Sequence, residues 1–155
     1  MKKFIILGFG LVSLSINANE KSSLNQFMVD NFDWKQDSAN IVHVGTRCAT
    51  LMNSIVLRLS EDNRGEVKSL ADKYKNISDV YMFSTTSVAK KINYSTDGYT
   101  KLYKTWINNY QLMAKKNAIK YNNFLHGMIG EDFKTCGENH NVSFYQSMIE
   151  RSAKK

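Results

Sequence analysis

Residues 38–59 read SANIVHVGTRCATLMNSIVLRL. Apolar Ile41, Val44, Cys48, Leu51, Ile55 and Leu59 recur at steps of 3, 4, 3, 4 and 4. That spacing repeats on one face of an α-helix and predicts a long amphipathic helix. Ser38 offers a hydroxyl for its N-cap, and Glu61-Asp62-Asn63-Arg64-Gly65 interrupts the pattern with polar residues and a glycine.

The same period continues on both sides. Val67, Leu70, Tyr74, Ile77, Tyr81, Ser84 and Val88 form a second stripe, with a kink or break expected in the Ser/Thr-rich stretch from Phe83 to Val88. Asn93-Tyr94-Ser95-Thr96-Asp97-Gly98 reads as a loop. A third stripe runs Tyr103, Ile107, Tyr110, Ala114, Ala118, Tyr121, Leu125 and Met128 and is expected to end near Gly127 and Gly130. Glu131 to Thr135 predicts one short turn ended by Gly137, and Asn141 or Ser143 could cap a last helix through Tyr145, Met148 and Ile149. Ser23 could cap a short segment carrying Leu24, Phe27 and Met28. The chain contains no proline, where average usage would give about seven or eight. Few elaborate loops are therefore expected. Together these features predict an all-α fold, an antiparallel bundle of about four helices.

The 155 residues suit one domain. Met1-Lys2-Lys3, the apolar run from Phe4 to Ile16 and the small Ala18 have the layout of a cleavable secretory signal. The expectation is a signal peptide over residues 1–18 and a single helical domain over residues 19–155, periplasmic or secreted. Loss of Lys2 and Lys3 takes the net charge from +7 to +5. Beyond that signal no run approaches the roughly 20 apolar residues of a membrane span.

Export decides the reading of Cys48 and Cys136, the two cysteines of the chain. In an oxidising compartment a pair of thiols closes to a disulfide. The Cys136/His140 spacing also suits metal ligation, but no C-x-x-C and no fourth ligand accompany it, so no metal site is predicted. His43, His126 and His140 are scattered along the chain, and no metal site or cofactor is expected from them.

No catalytic fingerprint of the hydrolase, zinc-protease, Walker or dinucleotide type is present. The acid pairs Glu61-Asp62 and Glu131-Asp132 are adjacent in sequence, a spacing that points side chains apart on a helix; the second pair suits a helix start. The charge is uneven. Between Arg64 and Lys120 eleven basic residues face four acids, and seven of the eight tyrosines lie from Tyr74 to Tyr121. Lysines outnumber arginines 17 to 4, which argues against specific phosphate recognition by the planar arginine fork. A solvated helix face accounts for most of this charge. Its candidate binding residues are Lys90, Lys91, Tyr99, Lys101, Lys104, Lys115 and Lys116.

The expected function is non-enzymatic: an exported protein that binds a protein partner in the cell envelope, of inhibitor or immunity, chaperone or accessory type. Nucleic acid is not the expected partner. The alternatives are a hydrolase with dispersed catalytic residues and a weak binder of anionic polymers.

Overall fold

The computed structural model describes residues 22–62 and 64–153. The signal-like segment, residues 1–18, lies outside the described residues. All regular structure described is helical: α1 (Leu24–Asp30), α2 (Ser38–Leu59), α3 (Gly65–Lys91), α4 (Thr96–Tyr121), α5 (Met128–Gly137) and α6 (Asn139–Ala153). No described helix is long and apolar enough to cross a membrane.

α2 is the axis of the molecule. Its broadest interface is with α3, followed by that with α4, and it also touches α5. A helix covered from several sides must bury more than one stripe. Beside the apolar stripe, Val42, Gly45, Thr46, Arg47, Ala49, Thr50, Met52 and Ser54 are also buried. Thr46, Thr50 and Ser54 remain compatible with that burial because each hydroxyl donates to a carbonyl one turn back in its own helix. The N-cap is Asp37, one residue earlier than expected; its carboxylate accepts from the N–H groups of Ala39 and Asn40. Ser23 caps α1 as its position suggested.

α3 corrects the expected break. It runs as one continuous helix through Phe83–Val88, and its C-terminal half holds most of its buried residues. Ser84 donates to the Tyr145 carbonyl in α6 and Ser78 to the Ala49 carbonyl in α2. Small side chains allow the backbones to approach. Gly45 of α2 sits so close to Thr85 and the Tyr145 ring that a Cβ there would collide with both. Gly45→Ala is accordingly expected to destabilise the fold by about 1–3 kcal/mol. A denaturation midpoint equal to that of the parent chain would remove this close packing from the account. The N-terminal half of α3 is looser, and Leu70 is 40% exposed rather than core-facing.

α4 ends earlier than the sequence stripe. Asn122 closes it in the left-handed region at φ 50°, a conformation that asparagine tolerates better than most residues. Residues 122–127 then turn, and Gly127, at φ 61° and ψ −136°, starts α5 in a conformation suited to glycine. The α4 stripe is also rotated from the expected phase. Leu102, Trp106, Tyr110 and Ala114 are its buried residues, Tyr103 and Ile107 are half-buried, and Tyr121 is exposed. α5 and α6 are both longer than the single turn and late-starting helix expected.

The two sulfurs are joined: Cys48 and Cys136 form a disulfide across 88 residues of sequence, with a Cα–Cα distance of 5.3 Å. The bond fastens α5 to the middle of α2. α6 is held by its own ring. Tyr145 is fully buried, donates to the Ile41 carbonyl at 2.7 Å and packs against Tyr81 and Trp34.

Candidate functional site

Two features stand apart from ordinary packing. One is a polar centre enclosed beside the disulfide, and the other is the outer face of α4.

The polar centre is built on Arg47, the residue immediately before Cys48. Neither Arg47 nor Asp132 has any side-chain exposure. Arg47 Nη2 donates to Asp132 Oδ2 at 2.5 Å and to the Ser22 carbonyl at 3.1 Å. Tyr110 of α4 donates to the same Asp132 oxygen at 2.5 Å, and the Leu24 N–H of α1 donates to Asp132 Oδ1 at 2.5 Å. The guanidinium also lies 4.1 Å above the Trp106 ring, a cation–π contact. One carboxylate thus joins α1, α2, α4 and α5. The expectation that Asp132 merely places charge at a helix start is replaced by this buried pairing. Burial disfavours the Arg47 charge, but Tyr110 and Asp132 outweigh it and hold the guanidinium above its ordinary range. Burial, reinforced by the Asp132 charge, pushes the Tyr110 hydroxyl well up despite Arg47. The centre therefore keeps a charged arginine and a neutral tyrosine at physiological pH.

His43 lies one turn before Arg47. Its ring packs on Phe27 at 4.5 Å and meets Trp106 edge-on at 5.9 Å. Its Nε2 is buried and has no hydrogen-bond partner among the described residues. Burial, and secondly the Arg47 charge, lower its pKa to about 4. The folded protein holds His43 neutral, whereas the unfolded chain binds a proton from about pH 6.5 downward. Stability from this site is therefore complete above that pH and declines as pH falls towards about 4, by roughly 3 kcal/mol in all. His43→Phe should flatten the stability–pH curve in that window. An unchanged slope in thermal denaturation would show that His43 does not set it.

His126 is exposed and stacks on Tyr121 at 3.8 Å, and His140 approaches Glu138 at 3.4 Å on the surface. Among the described residues neither His43 nor His126 pairs with a carboxylate in the ion pairs and hydrogen bonds described, and no three His, Cys, Asp or Glu gather as metal ligands. Both cysteines are occupied by the disulfide. Trp106 and Tyr110 are packed into the core, with Met113 half-buried against it.

The seven candidate binding residues separate. Lys90 and Lys91 occupy the last turn of α3, where positive charge complements the helix dipole. Tyr99 turns inward: it is half-buried and packs against the core, and burial raises its hydroxyl pKa. Lys101, Lys104, Lys115 and Lys116 are all exposed on α4. At 100° per residue, Lys101, Asn108, Leu112 and Ile119 fall within about 40° of one line, with the other three lysines within about 60° of it. Leu112 is 53% and Ile119 79% exposed on this face. One acid, Asp97, shares it at the N-terminal end, where an open groove of about 300 Å³ runs between Asp97, Lys101, Lys104 and Asn108. The surface ion pairs among the described residues are Arg64–Asp62, Lys75–Asp79 and His140–Glu138, so these four lysines engage in none of them.

The sequence reading found the lysines but not the apolar pair between them. It also missed Arg47 and Asp132. A signal was available: Arg47 is the one Lys, Arg, Asp or Glu from Ser38 to Leu57, and it directly precedes a cysteine whose partner lies one turn after Asp132. Comparison of the chain with protein-family models, with curated proteins and with solved structures finds no match in any of the three.

Proposed function

We propose that the chain is an exported, non-enzymatic binding protein: an antiparallel helical bundle, stapled by its disulfide, whose α4 outer face contacts an anionic component of the cell envelope. The observation that carries this reading is the composition of that face. Lys101, Lys104, Lys115 and Lys116 stand exposed around Leu112 and Ile119 along one side of one helix. Each exposed aliphatic is ordinary by itself; what supports the reading is that Leu112 and Ile119 line up with the four lysines on one helix face as a mixed basic and apolar strip.

The polar centre supports the non-enzymatic part. Its arginine and carboxylate are fully enclosed and paired with one another, with no side-chain exposure through which a substrate could reach them. The disulfide supports an oxidising compartment. A histidine held against a carboxylate in an open cleft would favour a hydrolase instead. The described clefts are lined by Asp97 to Asn108, by Val56 to Lys75 of α2 and α3, and by residues between Ser54 and Lys115 of α2 and α4, and none contains a histidine.

The test is retention of the purified chain on the envelope fraction of the exporting organism. The fourfold variant K101E/K104E/K115E/K116E should be retained severalfold less than the parent, with unchanged helicity by circular dichroism. Equal retention would remove α4 as the contact surface.

A further inference from the structure

The geometry points to an anionic lipid bilayer as the surface that the α4 outer face docks on, with Leu112 and Ile119 entering the headgroup layer and Lys101, Lys104, Lys115 and Lys116 lying over acidic headgroups. This deepens the reading above and rests on it.

Three features of the face favour a bilayer over an acidic protein. The first is composition. Cores of protein interfaces are enriched in tyrosine, tryptophan and arginine and depleted in lysine. This strip has the opposite make-up. The aromatic residues of α4 from Tyr99 to Tyr110 are turned away from it, with Trp106 and Tyr110 fully buried and Tyr99 and Tyr103 packed against the core. The second is shape. The strip follows the convex outside of a helix over about 27 Å from Lys101 to Ile119. The groove along its N-terminal half is open and lined by polar and charged side chains, and so gives an anchor residue no apolar pocket there. A planar layer of diffuse charge needs no such pocket. The third is the placement of apolar groups. Leu112 and Ile119 are two turns apart and project between lysines whose long stems can lie along the interface while their ammonium groups stay with the headgroups. Shallow insertion of aliphatic side chains combined with lysine attraction to acidic lipid is the physics of a peripheral, reversible membrane contact. The lysines are free for it, because among the described residues the surface ion pairs use other groups. Asp97 marks the end of the strip, where its charge opposes contact.

The experiment is co-sedimentation of the full disulfide-bonded chain with vesicles of phosphatidylglycerol and phosphatidylethanolamine, set beside vesicles of phosphatidylcholine alone. The expected result is sedimentation with the anionic vesicles at low ionic strength, release as salt rises, and little binding to the neutral ones. Each of Lys115→Gln and Lys116→Gln should weaken partitioning about fivefold. The pair Leu112→Gln and Ile119→Gln should weaken it about tenfold at constant charge. All four substitutions are at exposed positions, so circular dichroism of each variant should match the parent. Equal binding to neutral and anionic vesicles would overturn the assignment, as would full binding by the Leu112/Ile119 variant. Absence of binding to anionic vesicles at low salt would also overturn it. If envelope retention in that last case still depends on the α4 lysines and is abolished by trypsin treatment of the envelope, the acidic partner is a protein. The broader reading then stands without this one.

Discussion

Asp132→Ala should cost about 3–5 kcal/mol of folding stability, because it strands a buried arginine. Arg47 does not escape by losing its proton, because a guanidinium stays protonated in proteins. The same substitution removes the acceptor of the Tyr110 hydroxyl and of the Leu24 N–H. A typical domain has only about 5–15 kcal/mol in total, so the loss is a large share. Arg47→Met should be comparably harmful when made alone, leaving the carboxylate as the unpaired charge. The double variant R47M/D132L discriminates between an ion pair and simple bulk. It should recover part of the loss, as replaced buried pairs commonly do, but not all of it, because Tyr110 and Leu24 still lack their acceptor. A urea midpoint for Asp132→Ala within experimental error of the parent would mean that the centre is not closed in solution.

The same centre shows what the sequence could and could not deliver. Helical period reports which side of a segment is apolar, so α2 and its boundary at the Glu61–Gly65 break were legible from residues 38–65. Period says little about a helix buried on several sides, where Thr46, Thr50 and Ser54 satisfy their own hydroxyls and Arg47 finds a partner 85 residues away. The Ser/Thr-rich half of α3 was misread for a related reason. In isolation such residues disfavour helix, but at a close interface their small size lets the backbones approach, and Ser84 donates to the Tyr145 carbonyl of α6. The end of α4 was misplaced because the apolar stripe outlasts the backbone helix: Phe124 and Leu125 stay half-buried in the turn beyond the left-handed Asn122.

The candidate binding surface was legible by charge and not by direction. Seven residues were grouped by proximity in sequence, yet 100° per residue separates Tyr99 from Lys101 by about 200°. Tyr99 therefore faces the core while Lys101 faces out. Leu112 and Ile119 are off the buried stripe, and an off-stripe aliphatic is ordinary on any surface. They gain meaning only when they line up with the four lysines on one helix whose other side is known to be covered.

Removal of the disulfide should have an effect as large as loss of the ion pair. Closing a loop of this length lowers unfolded-chain entropy enough to stabilise the fold by about 4–5 kcal/mol in the simplest treatment, an upper figure. Cys48→Ser or Cys136→Ser should lower Tm by about 10–15 °C without reductant. Reductant should do the same to the parent and nothing to either variant, which separates loss of the bond from loss of sulfur packing. The two stabilising features are not independent. Asp132 and Cys136 sit one turn apart on α5, and both hold it to neighbouring residues of α2, Arg47 and Cys48. Once the disulfide is open, α5 is free to draw away from α2, water reaches Arg47, and the remaining pair is worth less. Losses from Cys136→Ser and Asp132→Ala should therefore sum to more than the double variant shows, by about 1 kcal/mol or more. Strict additivity would mean that α5 stays docked through other contacts, and that the disulfide acts on the unfolded chain alone.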